Sequence, residues 1–418
     1  MTEFKNLIKD KEFLSLWISQ MFSQLTINIM NFIILTRLFT ITGSTIATSL
    51  LWIAYALPAI FFGPIGAASV DLVSRRKILM VTNLLQAATV GTLIFVHQTN
   101  IFILYVVVLL YSFFNQFYVP AESSSLPSVV PKRLFPHANS LFFITQQAAL
   151  VVGFGTAGII LNFLGFTGSL VVCTILLVVA FVSVSFLPEI KPRLAVPQSM
   201  EKLVLTFFRS IYEGYKFIKE HKKILFPLIL LLGIQVSLAM AVVNIPLIAT
   251  QILGVDVNFA GILVVVPAGL GAMAASVLIS KNLKKTWRKK YVIETASLIL
   301  AIALLLIVFV IPLLAFALRV IFEPLFVFLL GVGYIGIIIP TLTYLQETTP
   351  SWLRGRVFGN FWFLSTIASV FPVLFSGVIT EFFGIKTLFI LLATAGLFVF
   401  YYSKNHGEKL IEENFINE

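Results

Sequence analysis

The sequence predicts an all-α membrane protein with twelve transmembrane helices in two similar six-helix bundles. Hydrophobic residues make up 59% of the 418 residues and charged residues only 11%, whereas a soluble domain carries about 25% charged residues. Apolar runs near the length of about 20 residues that a bilayer-crossing helix needs recur along the whole chain. Basic residues are concentrated in alternate breaks between these runs. This pattern excludes an ordinary soluble fold.

The apolar runs give twelve spans, each bounded by charged or turn-forming residues. They are 13–38, 46–68, 78–96, 101–120, 138–161, 166–187, 224–250, 258–280, 291–314, 320–344, 357–380 and 384–403. The weakest boundary separates the ninth and tenth spans, where Pro312 and Arg319 are the only break signals between Ile311 and Phe322. Eleven or thirteen spans are the alternatives there.

The basic residues predict the topology. If the N-terminus is cytoplasmic, all but three of the 29 Lys and Arg residues lie at the cytoplasmic face, the exceptions being Arg37, Arg319 and Lys386. Because cytoplasmic loops are enriched in basic residues, both termini are expected inside the cell, in the inner or plasma membrane. The net charge of +11 is therefore a topology signal, and no nucleic-acid partner is expected. The start, MTEFKNLIKDKEF, shows no cleavage site, so the first helix should be retained.

The longest break divides six spans from six. It predicts an N-terminal bundle at 1–187, a cytoplasmic linker at 188–223, a C-terminal bundle at 224–403 and a cytoplasmic tail at 404–418. Within the linker, apolar residues recur at helical spacing among charged ones, at Val204, Phe208, Ile211, Tyr215 and Ile218. This pattern favours an amphipathic helix on the membrane surface, and a partner-binding helix is the alternative.

A repeated segment occurs at corresponding places in the two halves. The fourth and fifth spans are joined by VPAESSSLPSVVPKRLFPHANSL and the tenth and eleventh by IPTLTYLQETTPSWLRGRVFGNF. Pro120 and Pro131 correspond to Pro340 and Pro350 at a spacing shorter by one residue. Two similar halves are typical of transporters that rock about a site near the middle of the membrane.

The segment after the second span, GPIGAASVDLVSRRKIL, resembles the signature loop of the major facilitator superfamily. The acid and the basic pair match at Asp71, Arg75 and Arg76, whereas Ala67, Ser74 and Leu72 depart from the usual residues. PAESSSLPSVVP, QETTPSWLRGRVF and EGYKFIKEHKKIL resemble the branch that contains macrolide-efflux and enterobactin-exporter proteins. The resemblance implies the major facilitator fold.

The resemblance also implies a cytoplasmic gate. Asp71 would face the start of the eleventh helix, where a carboxylate interacts favourably with the helix dipole, and the loop arginines would pair with acids such as Glu347. The gate candidates are Asp71, Arg75, Arg76, Glu347, Arg354 and Arg356. The alternative is that the arginines only mark the cytoplasmic side.

Polar residues inside the spans predict a substrate cavity, because a polar side chain that faces lipid is costly. They form stripes on the first, fourth, seventh and tenth spans, the helices that surround the cavity in the resembled family. The candidates are Gln24, Asn28, Asn31, Tyr111, Asn115, Tyr118, Ser237, Asn244, Tyr334 and Thr341. Interhelical hydrogen bonding is the alternative role. An amide-rich, aromatic lining suits a bulky amphipathic organic substrate, with a lipid or a peptide-like compound as alternatives.

The chain shows no nucleotide-binding motif, so energy must come from an ion gradient unless the protein is a facilitator. The candidates for proton coupling are Glu122, Arg319 and Glu323, of which the last two are spaced to form an ion pair. No cofactor or metal is expected, since the four histidines lack metal-ligand spacing and Cys173 lies in an apolar span.

The direction of transport has one signal. AALVVGFGTAG in the fifth span resembles the glycine-rich antiporter motif of exporters, with Gly153, Gly155 and Gly158 retained and Phe154 in the usual proline position. Small residues there would allow close helix approach between the two halves. The predicted function is proton-coupled export of a drug-, macrolide- or siderophore-like compound by a monomer. The alternatives are an importer, a lysophospholipid flippase-like carrier, and a non-transporting receptor or assembly subunit; no catalytic constellation supports an enzyme.

Overall fold

A computed structural model describes residues 7–98, 100–189, 222–283, 288–349 and 351–410, together with helical positions 205, 208, 209, 212, 213 and 216 of the linker. In the described part of the chain, eleven helical segments are long and apolar enough to cross a membrane. One of them, Phe135–Ser185, is kinked at Gly165. A straight helix of that length would be far longer than a hydrocarbon core about 30 Å thick. It therefore provides two spans, and the prediction of twelve is confirmed.

The first six helices are α1 (Lys11–Thr42), α2 (Thr45–Leu72), α3 (Arg75–Val96), α4 (Phe102–Val129) and the two arms of Phe135–Ser185, α5 (135–164) and α6 (166–185). Asp10 caps α1, because its carboxylate accepts hydrogen bonds from the backbone N–H groups of Glu12 at 2.9 Å and Phe13 at 3.0 Å. Gly165 has a φ of 68°, a conformation that glycine adopts without strain.

The other helices are α7 (Lys222–Val243), α8 (Val266–Leu283), α9 (Lys289–Phe309), α10 (Phe316–Thr348), α11 (Ser351–Phe383) and α12 (Ile385–Leu410). A short turn, Ile245–Leu247, and a π-helical turn, Ile248–Leu253, extend α7. The uncertain boundary between the ninth and tenth spans is the 3-10 turn Ile311–Leu313, followed by extended backbone at Leu314. Pro312 therefore lies at the break, as predicted.

The chain divides into two compact units. The first comprises Met1–Gly43 and Leu50–Arg209, and the second comprises Ser44–Ser49 and Ser210–Glu418. The domain boundaries proposed from the sequence stay a prediction, because most of the linker lies outside the described residues. Of its amphipathic positions, Phe208 is helical and 49% exposed, whereas Val204, Ile211, Tyr215 and Ile218 are not described.

The two units repeat the same pattern of helix packing. In the first, α1 packs against α4 and the α5–α6 segment, and α3 against α4 and the α5–α6 segment. In the second, α7 packs against α10 and α11, and α9 against α10 and α12. This correspondence agrees with the repeat in the sequence.

Glycines allow equivalent helix pairs to approach closely. A Cβ atom at Gly66 of α2 would overlap the carbonyl oxygen of Gln116 in α4. In the second unit, a Cβ at Gly271 of α8 would overlap the carbonyl oxygen of Phe328 in α10. Backbones are thus in contact at the same place in each unit, as small residues permit in membranes.

Candidate functional site

A chain of four polar side chains crosses the interior of the first unit from α3 through α1 to α4. Asn83 Nδ2 donates to Ser19 Oγ at 3.1 Å, and Ser19 Oγ lies 3.2 Å from the Tyr118 hydroxyl. Tyr118 in turn donates to Glu122 Oε1 at 3.0 Å. We call Asn83, Ser19, Tyr118 and Glu122 the Glu122 chain. It gives a carboxyl group in a membrane protein a defined set of hydrogen-bond partners.

Local structure explains how these side chains meet. Tyr118 and Glu122 are one helical turn apart on α4 and therefore share a face. Ser19 on α1 has a short side chain, so its hydroxyl can accept from α3 and still contact α4. At 1.5 Å per residue, Glu122 lies about 10 Å from the end of α4 at Val129. The Glu122 chain therefore lies in the half of the first unit that contains the basic residues at the start of α3.

The Glu122 chain is enclosed by the hydrophobic core of the first unit. Tyr118 belongs to the same cluster as Phe13, Leu16 and Leu79, all fully buried. Ser19, Asn83 and Tyr118 are each 0% exposed, and Glu122 is 6% exposed. Since water does not reach the first three groups, their hydrogen bonds must be made within the protein. Of the four residues, Glu122 alone has residual exposure.

Two further amides join helices in this unit. Gln20 Nε2 donates to the carbonyl oxygen of Phe142 at 3.0 Å, and Gln86 Nε2 donates to that of Tyr111 at 3.4 Å. Among the described residues, the Oε1 atoms of Gln20 and Gln86 and the Oδ1 atom of Asn83 have no hydrogen-bond partner. The interior of the first unit therefore holds amide oxygens that are buried without a donor in the described part of the chain.

The second unit buries a different carboxyl. Glu323 on α10 is 0% exposed, and neither carboxylate oxygen has a partner among the described residues. The expected ion pair with Arg319 is absent there. Arg319 instead donates from Nε to the carbonyl oxygen of Leu314 and from a terminal nitrogen to that of Pro312, both at 2.8 Å. The spacing allowed an ion pair, but the break between α9 and α10 leaves carbonyl groups that take the guanidinium.

Polar contacts also join α7 to its neighbours in the second unit. Tyr334 of α10 donates to Gln235 Oε1 at 2.5 Å. Asn244, at the end of α7, donates to Ser376 Oγ at 3.2 Å and accepts from Thr380 Oγ1 at 2.8 Å, so it binds α11 twice. Asn244 and Ser376 are both 0% exposed. These bonds hold α7, α10 and α11 in register.

Residues 44–49, which belong to the second unit, make further polar contacts with α11. Thr45 Oγ1 lies 3.0 Å from Thr380 Oγ1 and donates to the carbonyl oxygen of Gly377 at 2.8 Å. The carboxylate of Glu381 accepts from Ser44 Oγ at 2.5 Å and from the backbone N–H of Ile46 at 3.0 Å. Glu381 therefore caps the first turn of α2.

The predicted cavity residues divide into two groups. Gln24, Asn28, Asn31, Asn115, Ser237 and Tyr334 keep partial exposure, whereas Tyr111, Tyr118, Asn244 and Thr341 are enclosed within their own unit. The four enclosed residues are buried among neighbouring side chains in this conformation, and their cavity role stays a prediction. Helical periodicity identifies a face that avoids lipid, but such a face can point to a neighbouring helix as well as to a cavity. For the other six, the cavity role likewise stays a prediction.

The gate residues make contacts within their own units. Arg75 donates to Ser128 Oγ at 3.1 Å, and Arg76 donates to the carbonyl oxygen of Ser185 at 2.5 Å. Glu347 pairs with Lys289 at 2.9 Å, and Asp71 is partly exposed. The side chains of Arg354 and Arg356, and of the expected Gly355–Asn360 contact region, lie outside the described residues. The gate therefore stays a prediction.

The glycine-rich segment of α5 packs inside its own unit at Gly153. A Cβ atom there would lie 2.6 Å from Asn28 Cβ, so Gly153 lets α5 approach α1. Gly155 and Gly158 are also buried. The close approach at Gly153 is therefore to a helix of the same unit, and the expected approach between the halves stays a prediction.

Several site residues were not predicted from the sequence. Ser19, Asn83, Gln86, Gln235 and Thr380 all contribute buried polar contacts. The signal for two of them is in the sequence, because Asn83 and Gln86 are amides in the apolar run of the third span. In the described part of the chain, no group of three or more His, Cys, Asp or Glu side chains is placed to hold a metal.

Comparison with known proteins identifies the family. The model of the Major Facilitator Superfamily matches residues 16–372. The chain is 26% identical over 368 residues to the multidrug efflux pump Tap of Mycolicibacterium fortuitum, covering 84% of this chain and 85% of that protein. It is 22% identical over 396 residues to macrolide efflux protein A of Streptococcus pyogenes, covering 92% and 93%. A mutant form of the nucleoside transporter NupG superimposes with a TM-score of 0.75 at 12% identity, covering 94% and 98%. The chain therefore belongs to the Major Facilitator Superfamily and is a multi-pass membrane transporter.

Proposed function

We propose that the protein is a secondary active transporter that exports an amphipathic organic compound by alternating access, driven by the proton gradient. The observation that carries this proposal is the Glu122 chain, a carboxyl buried in a membrane-spanning unit and tied to three helices. Ionisable groups inside membrane helices are costly and usually serve ion or substrate pathways.

Proton coupling requires a carboxyl that can gain and lose a proton during the cycle. Glu122 meets this requirement, because it keeps 6% exposure and its charged form accepts a hydrogen bond from Tyr118. Glu323 meets it less well, since it is fully enclosed and has no partner among the described residues. We therefore assign the coupled proton to Glu122, with Arg319 excluded by its bonds to backbone carbonyls.

Export is supported by the relatives. Tap and macrolide efflux protein A are both named as efflux proteins and match most of the chain. A substrate of the drug, macrolide or siderophore type is supported by the partly exposed polar residues, which are amides and hydroxyls without fixed charge: Gln24, Asn28, Asn31, Asn115, Ser237 and Tyr334. Such groups suit a bulky molecule with both apolar and hydrogen-bonding surface.

The basic residues support an orientation in the cell membrane with both termini in the cytoplasm. We propose that the protein acts as a monomer in the lipid bilayer and that Asp71, with Arg75 and Arg76, helps to close the cytoplasmic side. An Asp71→Asn variant should then reach the membrane in normal amount but transport more slowly.

The test of export uses energised cells loaded with the fluorescent amphipathic dye ethidium. Cells that express the protein should lose the dye faster than empty-vector cells, and a protonophore should abolish the difference. The Glu122→Gln substitution should also abolish the difference from empty-vector cells, without lowering the amount of protein in the membrane. Uptake faster than in control cells would instead identify an importer. Erythromycin and a lysophospholipid should next be tried as competitors of dye efflux, because the competitor that slows it identifies the substrate class.

Efflux that is insensitive to the protonophore and unchanged in Glu122→Gln would refute proton coupling. Glu12→Gln is the matched control, since Glu12 is an exposed acid at the start of α1 that belongs to neither the gate nor the Glu122 chain, and its removal should leave gradient-driven efflux unchanged.

A further inference from the structure

We infer that Asn83 is a positioning residue for the coupled proton, because it sets the direction of the hydrogen bonds in the Glu122 chain. This inference rests on the proposed role of Glu122. Asn83 lies on α3, at the opposite end of the Glu122 chain from the carboxyl group. It makes no contact with Glu122 among those that the structure describes. Its effect is transmitted through Ser19 of α1 and Tyr118 of α4.

When Glu122 is ionised, the directions of all three hydrogen bonds are determined. A carboxylate only accepts, so the Tyr118 hydroxyl must donate to it. The Tyr118 oxygen can then accept from the Ser19 hydroxyl, and the Ser19 oxygen accepts from Asn83 Nδ2. Every bond points toward the carboxylate, and the amide nitrogen, which can only donate, begins the series.

When Glu122 is protonated, the direction of the hydrogen bonds in the Glu122 chain can reverse. The carboxyl O–H can donate to Tyr118, Tyr118 to Ser19, and Ser19 to the far end. That arrangement is complete only if the far end offers an acceptor. Asn83 supplies one, since its Oδ1 atom is buried without a partner among the described residues, and rotation of the amide about its last bond exchanges Nδ2 for Oδ1. An amide at position 83 therefore satisfies both states of Glu122.

Burial limits the alternative partners of the Glu122 chain, of which Ser23 of α1, a second hydroxyl within hydrogen-bonding reach of Tyr118, is one. Ser19, Asn83 and Tyr118 are each 0% exposed, so water cannot replace a missing donor or acceptor. An unpaired buried polar group is costly, and hydrogen bonds in a chain reinforce one another in a medium of low dielectric constant. Protonation at α4 thereby changes bonding at α1 and α3, which couples three helices of the first unit to one proton.

Other titratable groups near the Glu122 chain do not provide the same effect. Tyr118 is the one titratable side chain of the described residues that is shown to interact with Glu122. Charged residues at the same end of the unit lie on every element around α4. They include Arg75, Arg76 and Lys77 at the start of α3, Asp71 at the end of α2, Asp10, Lys11 and Glu12 at the start of α1, and Arg133 after α4. The described interactions of Glu122 include none of these residues.

The test is an infrared titration of the purified full-length protein in lipid nanodiscs, which needs no substrate. The protonated-carboxyl band that is missing in Glu122→Gln is assigned to Glu122. In Asn83→Leu the ionised carboxyl loses the start of its donor series. The midpoint of this band should therefore move to higher pH by about one unit, as expected for a change near the strength of one hydrogen bond. Thr82→Val is the matched control, because Thr82 is buried on the same helix and its hydroxyl donates to α3's own carbonyl groups at Ile78 and Leu79.

A second variant interrupts the same series at its middle. Ser19→Ala should move the midpoint in the same direction and by a similar amount. The double variant, Ser19→Ala with Asn83→Leu, should move it no further, because both changes remove the same donor series. Since Ser19→Ala makes a small change, it also serves if Asn83→Leu does not fold.

Three outcomes overturn the inference: a Glu122 band that does not titrate, a midpoint unchanged in both variants, or shifts that add in the double variant. Failure of the proposed function is distinguished by the efflux assay. If Glu122→Gln abolishes protonophore-sensitive efflux while the infrared midpoints stay equal, the proton role stands and the positioning role of Asn83 is refuted.

Discussion

The contact between α2 and α4 depends on the absence of a side chain at Gly66, which makes Gly66→Ala a sharp test of the packing. The added Cβ would overlap a backbone carbonyl oxygen, that of Gln116, which cannot move without distorting α4. Inserting a carbon into a closely packed contact costs about 1–3 kcal/mol. At about 2–4 °C of melting temperature per kcal/mol for a unit of this size, we expect Tm to fall by about 2–12 °C.

Gly63→Ala, one turn earlier on α2, is the matched control. The nearest atom to its added Cβ is a side-chain oxygen, Gln116 Oε1, at 3.9 Å, which is ordinary contact. Alanine is also the better helix former by roughly 0.5–1 kcal/mol, so this variant should be as stable as the parent or slightly more stable. Both are measured by thermal unfolding in the same detergent, followed by fluorescence-detected size exclusion. Equal Tm values for the two variants would refute the close backbone contact.

Three further changes test other parts of the structure. Burial and the nearby Arg37 lower the pKa of His97, so its contribution to stability is complete above the ordinary histidine value of about 6.5 and is lost as pH falls below that value and through the lowered pKa of the folded state; His97→Gln should therefore lose less Tm than the parent between pH 8 and pH 5, and an equal loss would exclude this role. Thr380→Val leaves buried acceptors unpaired at Asn244 and should cost about 1–3 kcal/mol, whereas Thr387→Val, which removes a more exposed hydroxyl, should cost little in the same unfolding assay. Arg319→Lys cannot hold two carbonyl oxygens in the same fork geometry, and we expect a loss of about 1 kcal/mol; unchanged stability would show that these bonds contribute nothing.

Hydropathy was sufficient for the fold because the thickness of a bilayer sets the length of a span. Even the weakest boundary followed from Pro312, where the chain leaves α9 and cannot continue the helix. The helix ends were less accurate. For example, α1 runs from Lys11 to Thr42, beyond the expected 13–38, because capping by Asp10 and a left-handed Gly43 fix its ends outside the apolar run.

The candidate site was predictable only in part. Tyr118 was predicted for the cavity and Glu122 for proton coupling, and the structure joins them directly. Their partners Ser19 and Asn83 were missed, because helical phase gives the direction of a side chain on its own helix but not which neighbouring helix it meets. The pairing of Arg319 with Glu323 failed for a related reason. A spacing of four residues permits an ion pair, but backbone carbonyls freed by a helix break compete for the same guanidinium.

The kink at Gly165 has a consequence for how the protein is made. A single residue separates α5 from α6, so no polar loop has to be carried across the bilayer between these two spans. Neighbouring residues are apolar and exposed, with Phe163 at 80% and Leu164 at 56%. We expect the two helices to leave the translocon together as a preformed hairpin. A polar insertion at Gly165 would then impair biosynthesis at a step before the finished transporter exists.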